Sequence, residues 1–100
     1  MRIAVVSSDS RRVDQRFSRA NRFLIFEAGG NGGLHLVDER PSEPLPQEFF
    51  DQEMFDWVAD IIGDCDRVYM ARIRERPARA LRRRGIRPVV FQGPIGAITV

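Results

Sequence analysis

All sixteen basic residues of this 100-residue chain are arginine, and half of them fall in two short stretches. Arg11, Arg12, Arg16, Arg19 and Arg22 occupy one; Arg72, Arg74 and Arg76 occupy the other. A guanidinium presents a planar fork of donors and gives up its hydration more readily than an ammonium, so it suits oxyanions and sulfur-rich anions. Arginine-favouring codon usage would also scatter such residues over a solvated surface, so their placement carries the argument and their number does not. Other reactive side chains are sparse. Cys65 is the single cysteine and His35 the single histidine, which excludes an internal disulfide and a Cys/His zinc site. Asp9 and Asp14 could be imagined as a metal-binding carboxylate pair, but two-metal nuclease chemistry needs acids on central strands, and Ile3 to Val6 is purely aliphatic. The sequence holds no GxSxG, Walker or GxGxxG element, so no enzymatic activity is expected.

The elements that would position the arginines follow from hydrophobic period and turn residues. Arg2 to Ser7 predicts a buried first strand leading into the polar loop Ser7-Ser8-Asp9-Ser10. Arg22 to Glu27 and Leu34 to Asp38 predict a hairpin around the glycine-rich turn Gly29 to Gly33. Pro41, Pro44 and Pro46 predict an extended surface connection over Arg40 to Pro46. Gln47 to Ile62 predicts an amphipathic helix ended by Gly63, with Phe50, Met54, Trp57, Val58, Ile61 and Ile62 as the apolar side and Met54, Trp57, Val58 and Ile61 packed on the sheet. Val68 to Ile73, Pro77 to Arg84 and Pro88 to Phe91 then read as strand, helix and strand, a right-handed βαβ unit with parallel neighbouring strands. Gln92 to Val100 reads equally as a short strand or a helical stub, and Val13, Phe17 and Ala20 fit either a helical stripe or a loop pinned to the core.

If the first strand is parallel to the last two, the loops Ser7 to Arg12, Arg72 to Pro77 and Gln92 to Gly96 converge at the carboxyl ends of the strands, where open α/β sheets bind ligands. That convergence predicts an anion site. Backbone N–H groups of the Ser7 to Ser10 turn and the amino end of the Pro77 helix are expected to add partial positive charge. Cys65 precedes the Val68 strand, at its far end from Arg72, about 20 Å away for six residues; it is expected to be a buried packing residue. His35 is expected to be structural or surface-exposed.

Met1 to Ala20, MRIAVVSSDSRRVDQRFSRA, resembles the opening of the dinitrogenase iron-molybdenum cofactor biosynthesis family, the NifX-like proteins and the carboxy-terminal domain of NifB. Members carry a strand, an SSD-type loop and V-D-Q-H-F-G or a close variant. Asp64-Cys65-Asp66-Arg67-Val68 is similar to the family's D-C element, and Leu81 to Val90 (LRRRGIRPVV) to its L-x-x-x-G-I-x-P-V element. The resemblance implies an α/β fold with a ribonuclease H-like, mixed five-stranded sheet and flanking helices, over a single domain of residues 1–100. It implies a carrier for iron-molybdenum cofactor or a precursor cluster, bound transiently, with donor and acceptor proteins of cofactor assembly as partners. The expected site comprises Ser7, Ser8, Asp9, Arg11, Arg12, Arg16, Phe17, Arg19, Arg72 and Arg74. Two departures matter: Arg16-Phe17-Ser18 stands where the family has histidine, phenylalanine and glycine, and Arg72-Ile73-Arg74 stands where it has a small, glycine-containing loop. An imidazole can coordinate iron or molybdenum, whereas a guanidinium holds an anion only by charge and hydrogen bonds.

Competing classes are a phosphate-ligand or nucleic-acid module using the same arginines, or a regulatory domain that has lost its ligand. Nucleic-acid binders interleave basic and exposed aromatic residues. Here Phe23, Phe26, Phe50, Phe55 and Trp57 fit core positions and leave Phe17 alone in a loop, so nucleic acid is not expected. No apolar run reaches the length of a membrane helix, and the amino-terminal run is too short for a signal peptide, which predicts a soluble cytoplasmic protein.

Overall fold

The computed structural model describes residues 1–31, 33–44 and 52–100. Its elements are β1 (Arg2–Val5), β2 (Arg12–Val13), β3 (Arg22–Ala28), β4 (Leu34–Pro41), α1 (Gln52–Ile61), β5 (Arg67–Met70), α2 (Glu75–Arg83), β6 (Arg87–Val90) and β7 (Gly93–Pro94), with 3-10 turns at Phe17–Arg19 and Ile95–Ala97. Five strands form one mixed sheet in the order β4-β3-β1-β5-β6. β1 is parallel to β5 and β5 to β6, while β3 is antiparallel to both β1 and β4. The expected parallel placement of the first strand beside the closing βαβ unit is therefore present, and the carboxyl ends of β1, β5 and β6 share one edge.

Alternation in the strands divides the core between the two sheet faces. Ala4, Val6, Phe23, Ile25, Val68 and Met70 meet Phe55, Val58, Ala59 and Ile62 of α1 and its end, and Ala80 and Leu81 of α2. The opposite face carries Ile3, Val5, Leu24 and Tyr69, covered by Val13, Ile95 and Ile98 and, among the described residues, by no α-helix. The C-terminal segment is thus both things the sequence allowed: a two-residue strand paired to β2, then a 3-10 turn.

Several sequence expectations need correction. Trp57 is 51% exposed, because α1 turns Phe55, Val58, Ala59 and Ile62 to the sheet, a stripe displaced by one residue that lets the small Ala59 sit fully buried. Met54 and Ile61 pack at the edge of that core. β4 continues through Arg40 and Pro41, where an extended connection was expected to begin. It is an edge strand, so Pro41 can pair opposite Arg22 at its end without breaking an interior ladder. α2 begins two residues early, at Glu75; Pro77 stays in the first turn, where its missing N–H costs no intrahelical bond. Beyond its end Gly85 adopts φ +75°, a conformation that glycine takes without penalty. Phe50, Pro46 and the expected helix start at Gln47 lie outside the described residues.

Candidate functional site

β1 delivers the chain into the loop 6–14, and the loop's polar groups are spent on its own shape. The Asp9 carboxylate accepts hydrogen bonds at Oδ1 from the backbone N–H of Arg11 (2.8 Å) and Arg12 (3.0 Å) and from the Ser7 hydroxyl (3.2 Å). Ser7, fully buried, accepts at Oγ from the Ser10 N–H (3.0 Å). The Ser8 N–H donates to Asp14 Oδ1 (2.9 Å), and the Ser8 hydroxyl donates to Asp14 Oδ2. Ser10 sits at φ +65°, a left-handed position uncommon for serine, and its hydroxyl accepts from Arg22 (2.6 Å). Two backbone N–H bonds to Asp9 hold its carboxyl below the ordinary value.

These bonds correct one expectation. The N–H groups of Ser8, Ser10, Arg11 and Arg12 are already engaged by Asp14, Ser7 and Asp9, so their partial positive charge is met within the loop. Ser7, Ser8 and Asp9 thus spend these polar groups on hydrogen bonds within the loop itself.

The convergence of loops is built from backbone pairing. Arg12 pairs opposite Pro94 and Val13 opposite Gly93, and the Ile95 N–H donates to the Arg11 carbonyl (2.8 Å). The Ala71 N–H donates to the Gln15 carbonyl (2.8 Å) and the Phe17 N–H to the Arg72 carbonyl (2.9 Å), forming a parallel bridge between Arg16 and Arg72. Phe17, 2% exposed, packs on Phe23 with ring centroids 5.8 Å apart. It anchors the loop on the core. Val13, Phe17 and Ala20 are all buried, so the pinned-loop alternative describes this segment. Arg11, Arg12, Arg16, Arg19 and Arg72 are exposed at this edge. Arg74 is the exposed residue preceding the first turn of α2.

The arginines of the sheet differ in how they are balanced. Arg2, at the amino end of β1, pairs with Glu27 (2.8 Å) and Asp64 (2.7 Å), and Arg40, near the end of β4 opposite Phe23, pairs with Asp38 (2.9 Å) and Asp64 (2.5 Å). On the helices Arg84 pairs with Asp56 and Asp60. Arg22, the fifth arginine of its stretch, pairs with Glu39 (2.8 Å). Among the described residues no ion pair involves Arg11, Arg12, Arg16, Arg19 or Arg72. This edge therefore gathers five exposed arginines without an ion-pair partner among the described residues, beside the Asp9 and Asp14 carboxylates that hydrogen-bond within the loop.

Direct metal coordination has little to work with. Among the described residues no three His, Cys, Asp or Glu side chains gather as a ligand set. Cys65 is buried beyond the amino end of β5, with its thiol pushed up to about 12 by burial and by the neighbouring Asp64 carboxylate. His35 is exposed on edge strand β4, opposite Glu27. The sequence reading missed Asp14 as the second clasp of the loop and Gln15, whose side-chain Oε1 is buried without a hydrogen-bond partner among the described residues. The cluster of Ser and Asp over Ser7 to Ser10 was the available signal, since these side chains cap their own backbone in tight turns.

The fold and this edge define a small mixed α/β module with an arginine-lined candidate anion site. The chain belongs to the dinitrogenase iron-molybdenum cofactor family, whose model matches residues 1–98. It is 26% identical over 87 residues to the FeMo cofactor biosynthesis protein NifB of Herbaspirillum seropedicae and 30% identical over 89 residues to the protein NifY of Azotobacter vinelandii. Those matches cover 87% and 89% of this chain but only 17% and 35% of the relatives, so the chain spans a minor part of either. In fold it is similar to the crystal structure of PH0822 (TM-score 0.69, 21% identity, 96% of this chain and 84% of that one). It is also similar to the NMR structure of TM1290 from Thermotoga (TM-score 0.64, 18% identity, 94% and 79%). Membership in this family places the chain in the context of nitrogen fixation and iron-molybdenum cofactor biosynthesis.

Proposed function

We propose that the chain is a single-domain, non-enzymatic cytoplasmic carrier that receives an anionic metal-sulfur cluster, iron-molybdenum cofactor or a precursor, from one assembly protein and passes it to another. The observation that carries this reading is the gathering of five exposed arginines, Arg11, Arg12, Arg16, Arg19 and Arg72, that form no ion pair among the described residues, where the loops after β1 and β5 are bridged. The cluster is cargo, held by Arg11, Arg12, Arg16, Arg19 and Arg72 through charge and hydrogen bonds, with Arg74 at its rim. Family membership and the NifB and NifY relatives support the same class of cargo. Among the described residues no helix is long and apolar enough to cross a membrane. The sheet order supports the ribonuclease H-like arrangement the resemblance implies.

The test is anaerobic incubation with isolated iron-molybdenum cofactor, desalting, and iron and molybdenum analysis beside the visible spectrum. The native chain should retain near-stoichiometric metal, and a variant carrying Arg11→Glu, Arg16→Glu and Arg72→Glu should retain almost none while keeping its circular dichroism. Equal retention by both, or by neither, overturns the reading. Competition by inorganic phosphate or single-stranded DNA at equal affinity would also overturn it, in favour of a phosphate-ligand module.

A further inference from the structure

A carboxylate at the heart of an arginine-rich anion site is electrostatically unfavourable, and Asp9 is such a carboxylate. Its Oδ1 takes three donors: the backbone N–H of Arg11, the backbone N–H of Arg12 and the Ser7 hydroxyl. Those bonds tie together the residue before the left-handed Ser10 and the two after it. Arg12 then enters the two-residue ribbon opposite Pro94, with Val13 buried beneath it and the Arg12 side chain exposed. We propose that Asp9 is a positioning residue for the arginine edge: it fixes the backbone from which Arg11 and Arg12 project and makes no contact with the bound anion. Asp14, which clasps Ser8 on the other side of the loop, acts in the same way. The inference rests on the anion-carrier reading and adds to it the device that holds two of its arginines in register.

Three roles for Asp9 give different patterns in a pair of variants. Asp9→Asn keeps an oxygen that can accept the Arg11 and Arg12 N–H groups but loses the charge; Asp9→Ala loses both. A positioning role predicts that Asp9→Asn binds isolated iron-molybdenum cofactor as tightly as the native chain or a few-fold tighter. Asp9→Ala should bind about tenfold more weakly, because the freed backbone must be ordered on binding. Tighter binding by both variants would show that Asp9 only repels the anion, and equal weakening of both would show that it touches the cargo; either result overturns the inference while leaving the carrier reading intact.

A readout without cargo separates the two ideas. Limited trypsin digestion far below the melting temperature reports access to the bonds after Arg11 and Arg12. The native chain and Asp9→Asn should be cut slowly there and Asp9→Ala about tenfold faster. Equal cutting of all three overturns the positioning role even if no cluster is ever bound. Should Asp9→Ala fail to fold, the Asp14→Asn and Asp14→Ala pair on the exposed side of the loop is read by the same two measurements and the same criteria.

Discussion

Arg16 stands where the family's motif has histidine, and that difference changes the kind of bond the site makes. A guanidinium cannot coordinate a metal, so under the carrier proposal contact at this position would be electrostatic, and a backbone bridge pairs Arg16 with Arg72. Arg16→His should preserve or strengthen retention of isolated iron-molybdenum cofactor, Arg16→Ala should weaken it about tenfold as one charge-assisted contact is lost, and Arg16→Glu should abolish it. Equal retention by all forms would place Arg16 outside the site. Cys65 supplies a second residue-scale test. Its buried thiol stays protonated until about pH 12, so an aromatic disulfide reagent at pH 8 should react only after denaturant unfolds the chain. At this scale the sequence was a good guide to residue type and a poor one to role. The arginine clusters and the buried cysteine were legible. The loop-capping bonds of Ser7, Ser8 and Asp9 were not, because capping a loop and binding an anion call for the same small polar residues.

Among the elements, those with a long hydrophobic period or a glycine stop were readable: the hairpin of β3 and β4, the closing βαβ unit, and α2 ending before Gly85. The ribbon of β2 and β7 was not, since two residues per strand carry no period and their pairing depends on where distant loops meet. The rotation of α1 was also hidden. Met54, Trp57, Val58 and Ile61 make one helical stripe and Phe55, Val58, Ala59 and Ile62 make another, one residue apart. Residue size favoured the first, while close packing around the fully buried Ala59 selected the second. Truncation distinguishes them. Phe55→Ala should lower the unfolding free energy in urea by roughly 3–5 kcal/mol, whereas Trp57→Ala should cost under about 1 kcal/mol. The single tryptophan should also show the emission of a wetted indole in the native state. A blue-shifted native emission, or the reverse order of the two costs, would restore the Trp57-inward packing.

Across the whole molecule, charge is arranged so that stability and binding should answer differently to solvent. The carboxyls of Asp9, Asp38 and Asp64 all lie below their ordinary values through bonds to backbone N–H groups or to Arg40 and Arg2. Lowered acids contribute stability above the unfolded value near pH 4, and that contribution disappears as pH falls through their lowered native values. Urea midpoints should therefore be flat from about pH 5 to 8 and decline only in acid. Salt should act selectively. The pairs of Arg2 with Glu27 and of Arg40 with Asp38 and Asp64 are half-exposed, their carboxylates facing solvent, and surface pairs of this kind are worth about 0–1 kcal/mol each. Raising ionic strength from about 0.01 M to 1 M shortens the screening length roughly tenfold yet should shift the thermal midpoint by only a few degrees. Retention of an anionic cluster at the unpaired arginines has no such internal compensation. It should fall by orders of magnitude over the same range in the native chain, and by less in Arg16→His, where coordination replaces part of the charge. Salt-independent retention by the native chain, with a salt-sensitive melting temperature, would mean that cargo is held by coordination and that Arg11, Arg12, Arg16, Arg19 and Arg72 are ordinary solvated surface.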